Sequence, residues 1–277
     1  MTENIWRGMT REELDAAYNN TAAVKHSAAT LAEWTRRSAE LRASRAGLLN
    51  LPYGPKPRNR LDLFRCGKAG APLFVFIHGG YWQRNSKEIF SCMAEGPLAH
   101  GFDAAIVGYT LAPEATLTQI VAETQDAIRW LRKEGPQHGV GTGALVVSGW
   151  SAGGHLTAMA MGLAEVDAGF AISGIYDIEP CRLNYLNEKL NLTEKEVEAL
   201  SPIRHLPKEQ KPMTLAYGAS ELPELQRQSR DYATARGEAG LPTRLLALHT
   251  HDHFSIMEEL IKPDGKLTGA LFRLMHT

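Results

Sequence analysis

The chain is poor in cysteine, in charge imbalance and in long apolar runs, and each shortage removes a class of protein. Cys66, Cys92 and Cys181 stand far apart, with no CxxC pair among them. An odd, scattered set argues against a disulfide framework or a zinc knuckle and fits a reducing compartment. Thirty basic against 31 acidic residues leave a net charge of −1, so neither nucleic acid nor an acidic membrane surface is an expected partner. No stretch reaches the roughly 18 apolar residues of a membrane span. The opening MTENIWRGMTREELDAAYNN is charged from the start and lacks the apolar centre of a secretory leader. The expectation is a cytoplasmic protein. Its 277 residues, 44% of them hydrophobic, supply a substantial core.

What is present has two textures. Residues 10–50 read as a helical N-terminal segment, with Leu31, Trp34, Leu41 and Leu48 roughly on one side. The proline-rich LPYGPKPRN (51–59) reads as a loop. Short apolar runs then follow at 60–66, 72–78, 102–109, 145–150, 169–175, 213–218 and 243–248, with helical candidates at 85–99, 116–134, 153–164, 224–239 and 254–262. Apolar strands alternating with amphipathic helices predict an α/β fold, a mostly parallel central sheet with helices on both faces. Ligands in such folds bind at the carboxyl ends of the strands. Residues 176–206 form a longer insertion that reads as a lid. The expected organisation is one domain over 1–277, with segment 10–50 and insertion 176–206 as a small helical cap.

LVVSGWSAGGH (145–155) carries the strongest motif. An apolar run enters Gly149-Trp150-Ser151-Ala152-Gly153, a G-x-S-x-G pattern from which a helix can start at once. A serine on a sharp strand-to-helix turn is held in strain with Oγ raised into the site, and glycines two residues away on either side make room. The new helix aims its N-terminal amides at developing negative charge. The bland alternative, a glycine-rich turn without chemistry, does not call for this strand–turn–helix context. A second motif, FVFIHGGYWQ (74–83), also ends an apolar run. HGG-type loops after the third strand of an α/β-hydrolase sheet present backbone amides to an oxyanion. The expected donors are the amides of Gly80, Tyr81 and Ala152, with Gly79 able to replace one. Each is worth on the order of 3 kcal/mol of barrier stabilisation. His78 reads as a structural residue of that loop.

A serine nucleophile needs a base, and the base an orienting carboxylate; in this fold the chain order is serine, acid, histidine. Glu221, after the run MTLAYG and its Gly218 turn, is the favoured acid. Asp177 is expected to order the start of the insertion, and Glu224 to sit on the exposed first turn of a helix. LLALHTHDHFSI (245–256) supplies the base: His253 falls on the loop before a helix, His251 is the fallback, and His249 belongs to the strand end. The cluster of His249, His251 and His253 also suggests zinc. Metallo-β-lactamase-type sites use H-x-H-x-D-H, however, and H-T-H-D-H is one residue short, with only His276 left downstream. A tetrahedral site needs correctly spaced ligands and an outer shell, so no metal is expected.

HGGYWQ, GYTLAPEA (108–115), GWSAGGHL and DHFSI together resemble the α/β-hydrolase superfamily. Within it they look most like the kynurenine formamidase (arylformamidase) group and its esterase relatives near the hormone-sensitive-lipase-like esterases. The resemblance spans nearly the whole chain, including YNNTAAV (18–24) and GASELPELQRQSRDYA (218–233). It implies a triad of Ser151, Glu221 and His253. Two departures stand out: Trp150 where members commonly carry histidine before the nucleophile, and Glu221 where the acid is often aspartate. The implied function is a serine hydrolase acting without a cofactor on a small ester or (aryl)formamide substrate through an acyl-enzyme; a homodimer is left open. Trp82 and Trp150 are substrate-pocket candidates, with core packing the competing role for each. His155 reads as a helix-packing residue, Cys92 and Cys181 as buried thiols. A non-catalytic ligand receptor on the same fold is the alternative from another class.

Overall fold

Eight strands make one sheet in a computed structural model that describes residues 3–45 and 47–275. They are β1 (Leu48–Pro52), β2 (Arg60–Phe64), β3 (Leu73–Ile77), β4 (Asp103–Val107), β5 (Leu145–Trp150), β6 (Ala168–Ile172), β7 (Met213–Gly218) and β8 (Thr243–Leu248). Their order is β1-β2-β4-β3-β5-β6-β7-β8. β2 runs antiparallel to both β1 and β4, and the remaining pairs are parallel. With the helices packed on both faces, this is the α/β-hydrolase architecture.

The central strands read as unbroken apolar runs because both faces are covered. Alternate side chains go to opposite sides: Leu73, Val75 and Ile77 join one core, Phe74 and Phe76 the other. Between β3 and β5 the connections leave in opposite directions, one toward β4 and one toward β6. That reversal opens a crevice at the carboxyl ends of the two strands, and both sequence motifs lie there.

At three places the sequence reading and the structure part. The N-terminal helix Ser27–Ser44 stops before Leu48, which lies in β1 and is 40% exposed. β1 reaches into the proline-rich stretch because an edge strand tolerates Pro52, whose missing N–H costs no ladder bond on an open side. A C-terminal helix, Lys266–Leu274, buries Leu267, Ala270 and Leu271 where the sequence reading assigns no element. His276 lies outside the described residues, as does Ala46.

The helix Ser27–Ser44 buries Trp34, Ser38 and Leu41. Trp34 meets Phe90, Trp150 and Phe254 at ring distances of 5.9, 5.6 and 6.2 Å, while its Nε1 donates to Glu258 Oε1 at 2.7 Å. The insertion holds three short helices, Glu179–Leu183, Asn187–Leu190 and Glu194–Leu200. Among the described residues no helix is long and apolar enough to cross a membrane.

Candidate active site

β5 ends at Trp150, and the next residue, Ser151, adopts φ 58° and ψ −118° before the helix Ala152–Ala160 begins. That conformation is unfavourable for an L-residue and persists only where the surroundings impose it. Here they do. A Cβ on Gly149 would lie 2.2 Å from the Gly153 carbonyl oxygen, and one on Gly153 would lie 1.9 Å from that of Ile77. Both glycines of the motif are therefore steric requirements of the turn. The Ser151 amide donates to the Ile172 carbonyl at 2.8 Å, tying the turn to β6.

The loop after β3 passes just as close. A Cβ on Gly79 would meet the Trp150 carbonyl oxygen at 2.7 Å, and Gly80 has φ +119°. Tyr81 and Trp82 follow with φ 51° and 58°. Asn85 Nδ2 donates to Gly79 O at 3.1 Å and Tyr109 Oη to His78 O at 2.9 Å, which fixes the loop's path. His78 is sandwiched between Tyr109 and Phe90, with its Nδ1 2.9 Å from Gly79 O. Burial lowers its pKa to about 4, so the ring is a neutral loop holder. Among the described residues the Gly80 and Tyr81 amides carry no hydrogen bond, and the Ala152 amide, first in its helix, has no intrahelical partner.

Glu221 and His253 meet across the β7 and β8 loops. His253 Nδ1 lies 2.9 Å from Glu221 Oε2. Glu221 Oε1 accepts from Ser173 Oγ and from the Gly218 amide, both at 2.6 Å. Gly218 is what lets the two loops touch, since a Cβ there would lie 2.2 Å from the His251 carbonyl oxygen. Asp252 Oδ1 accepts from the Phe254 and Ser255 amides, both at 2.8 Å, folding the turn that presents His253. Trp150 secures the same turn by donating from Nε1 to His253 O at 2.8 Å, its ring 4.9 Å from the imidazole. Among the described residues no hydrogen bond joins Ser151 Oγ to the His253 ring; such bonds are commonly long until substrate is seated.

The competing side chains have other partners. Asp177 Oδ1 accepts from the Glu179 amide at 3.1 Å and faces Arg204 at 3.5 Å, at the start of the insertion. Glu224 is buried, not exposed as the sequence suggested. Burial alone would raise its pKa, but hydrogen bonds from Arg227, Trp6 and Tyr18 hold it below the usual range. It ties down the N-terminal segment. His251 lies 3.7 Å from Glu259 and His249 is exposed, so the three histidine rings point to different surroundings. His155 Nε2 is 2.8 Å from Leu200 O, and burial lowers its pKa to about 4. Burial likewise raises Cys92 to about 12 and pushes Cys181 up strongly.

Ser151 and His253 share a cavity of about 430 Å³, its open mouth included, with Gly80, Tyr81, Trp150 and Phe254. Its other wall comes from the N-terminal segment: Asn20, Thr21 and Leu31. Tyr81 Oη donates to Tyr18 O at 2.6 Å and accepts from Asn20 Nδ2 at 2.9 Å, stitching segment to loop. The insertion lines none of this cavity among the described residues. It buttresses the cover from behind, through Tyr185 N to Asp15 Oδ1 at 2.8 Å and Gln83 Nε2 to Leu186 O at 2.8 Å. One sequence assignment needs correction. Trp82 does not line the cavity: the loop's left-handed turn drives its ring into the core, fully buried and edge-on to His155 at 5.0 Å.

A mostly parallel sheet with a serine at the strand-to-helix turn after β5, and a buried histidine–carboxylate pair beside it, defines an α/β-hydrolase. The BD-FAE family model matches residues 61–178. Kynurenine formamidase from Salmo salar is 30% identical over 98% of both chains, and kynurenine formamidase from Danio rerio 27% identical over the same share. A crystal structure from Silicibacter sp. tm1040, described as that of a thioesterase, superposes with a TM-score of 0.84 at 29% identity, over 96% of this chain and 99% of the other. The chain belongs to the kynurenine formamidase family and is a hydrolase.

Proposed function

We propose that the protein hydrolyses the formamide of an aromatic amine, or a small ester, through an acyl-enzyme on Ser151. One observation carries this reading: a buried Glu221–His253 pair opens into the same cavity as Ser151 and the unpartnered Gly80 and Tyr81 amides. His253 Nε2 takes the Ser151 proton as Oγ attacks the substrate carbonyl. Glu221, bonded to Nδ1, holds the tautomer and steadies the imidazolium. The developing oxyanion lies against the amides of Gly80, Tyr81 and Ala152. The imidazolium then protonates the departing nitrogen or oxygen, and water, activated by the same histidine, releases the acid. Full-length similarity to two kynurenine formamidases favours an N-formyl aryl amide such as N-formylkynurenine.

The test is turnover of N-formylkynurenine and of a p-nitrophenyl ester by one preparation, with Ser151→Ala beside it. Loss of both activities in the variant, and fluorophosphonate labelling of the unmodified protein alone, are the expected results. Near-normal hydrolysis by Ser151→Ala would sink the mechanism. Absence of labelling would favour a ligand receptor on this fold.

A further inference from the structure

Asn20 is 4% exposed and lines the cavity that holds Ser151. Its hydrogen bonding is half complete. The Tyr18 carbonyl can only accept, so the single Tyr81 hydroxyl proton is committed to it at 2.6 Å. Tyr81 Oη must then accept a hydrogen bond from Asn20, which fixes the side-chain amide with Nδ2 toward Tyr81 at 2.9 Å. Oδ1 is left buried and without a partner. An orphaned buried acceptor is costly, and although Thr21, Arg84 and Asn85 also line the cavity, none of their donors bonds to it. A donor on a bound molecule would complete its hydrogen bonding.

We propose that Asn20 is a specificity-determining residue whose Oδ1 accepts the N–H of a scissile secondary amide, so that the site favours amides over the matching esters. The proposal rests on the serine-hydrolase reading of the same site. In the acylation step the Ser151 Oγ–C bond forms and the C–N bond breaks. The proton from Oγ passes through His253 to the nitrogen, and a primary arylamine departs with the hydrogen it already carried and the one it gains. An ester oxygen at that position has no hydrogen to give, and it leaves Oδ1 unpaired. Sites that hydrogen-bond one substrate discriminate against an analogue lacking the group by the cost of the unpaired partner. A bond from the reacting N–H also helps the nitrogen turn its lone pair toward the incoming proton.

The experiment measures kcat/KM for formanilide and phenyl formate with the unmodified protein, Asn20→Ala and Ser151→Ala. Asn20→Ala is expected to lower formanilide turnover at least about 10-fold while phenyl formate stays within about 3-fold; the retained ester activity also shows that the variant is folded. Should Asn20→Ala not fold, the unmodified protein decides. N-methylformanilide, which lacks the N–H, is expected to react at least about 10-fold more slowly than formanilide, and equal rates would overturn the proposal. An equal fall of amide and ester in Asn20→Ala, or no fall in either, overturns it too, because Asn20 would then only position Tyr81 or do nothing at the site. Turnover that survives in Ser151→Ala overturns the underlying reading as well, a separate result.

Discussion

The two walls of the cavity are built in different ways. On the sheet side backbone geometry does most of the placing, through the positive φ of Ser151, glycines where any Cβ would collide and the Gly218 amide on Glu221, with side-chain bonds from Ser173 and His253 completing it. On the cover side a separate segment is held by side chains: Tyr81 to Tyr18 and Asn20, Trp34 to Glu258, and Glu224 to Trp6 and Tyr18. Backbone placement gives the small positional error that bond-making requires. Changes on the sheet side should therefore depress turnover of every substrate, and changes on the cover side should alter stability, KM or selectivity.

That contrast can be broken by measurement, beginning with the largest effect. On the proposed mechanism Ser151→Ala should lower kcat about 10⁶-fold, since removing a nucleophile collapses the whole catalytic unit, with an unchanged melting temperature. Glu221→Gln should cost about 10³- to 10⁴-fold in kcat, because an amide cannot hold the histidine tautomer that the carboxylate selects. A KM effect alone in steady-state kinetics would count against the assignment.

Acid should unfold the sheet side. His78 and His155 are fully buried and neutral, each lowered by burial from 6.5 to about 4. Once unfolded they protonate freely, so stability is intact above pH 6.5 and is lost as pH falls toward 4. The slope is up to about 1.4 kcal/mol per pH unit for each ring. Urea denaturation at a series of pH values measures it, and His155→Gln should flatten the curve.

Tyr81→Phe leaves Tyr18 O and Asn20 Nδ2 without their partner and should cost about 1–3 kcal/mol of stability. KM should rise several-fold, while kcat for an ester changes little. A kcat loss as large as that of Glu221→Gln would erase the distinction between the two walls. Smallest of all, Arg36→Ala removes exposed ion pairs to Glu33 and Glu40 on the outer face of the cover helix. Calorimetry and kinetics should both register no change.

How much was legible follows from the same contrast. Strands β2 to β7 were readable because burial writes apolar runs such as LFVFI and LVVSGW; β8, an edge strand partly open to solvent, still carries the leucine-rich TRLLAL, whereas the other edge strand, β1, carries Asn50 and Pro52. The elbow and the HGG loop are local patterns, each contained in a few residues around one strand end. Trp82 and Trp150 look alike in sequence, each lying beside a motif. Trp82 lies wholly in the core, where the φ values of its loop direct it, while Trp150, buried as well, also reaches the cavity wall. Glu224 reads as a surface carboxylate until Trp6 and Tyr18, far away in the chain, fold onto it. Asn20 falls inside YNNTAAV, a stretch the resemblance covers, but nothing local marks it as a cavity residue.

By itself, then, the sequence determined the α/β-hydrolase sheet, the serine turn, the loop that faces it and the late segment that carries the histidines. These depend on hydrophobic periodicity, glycine sterics and chain order, which neighbouring residues encode. Only the tertiary structure decided that Glu221 meets His253, that Trp82 is core, and that residues 20, 21 and 31 close the cavity. Those outcomes depend on distances between segments remote in the chain. A hydrogen bond holds only within a few tenths of an ångström of its proper length, and no local pattern specifies that.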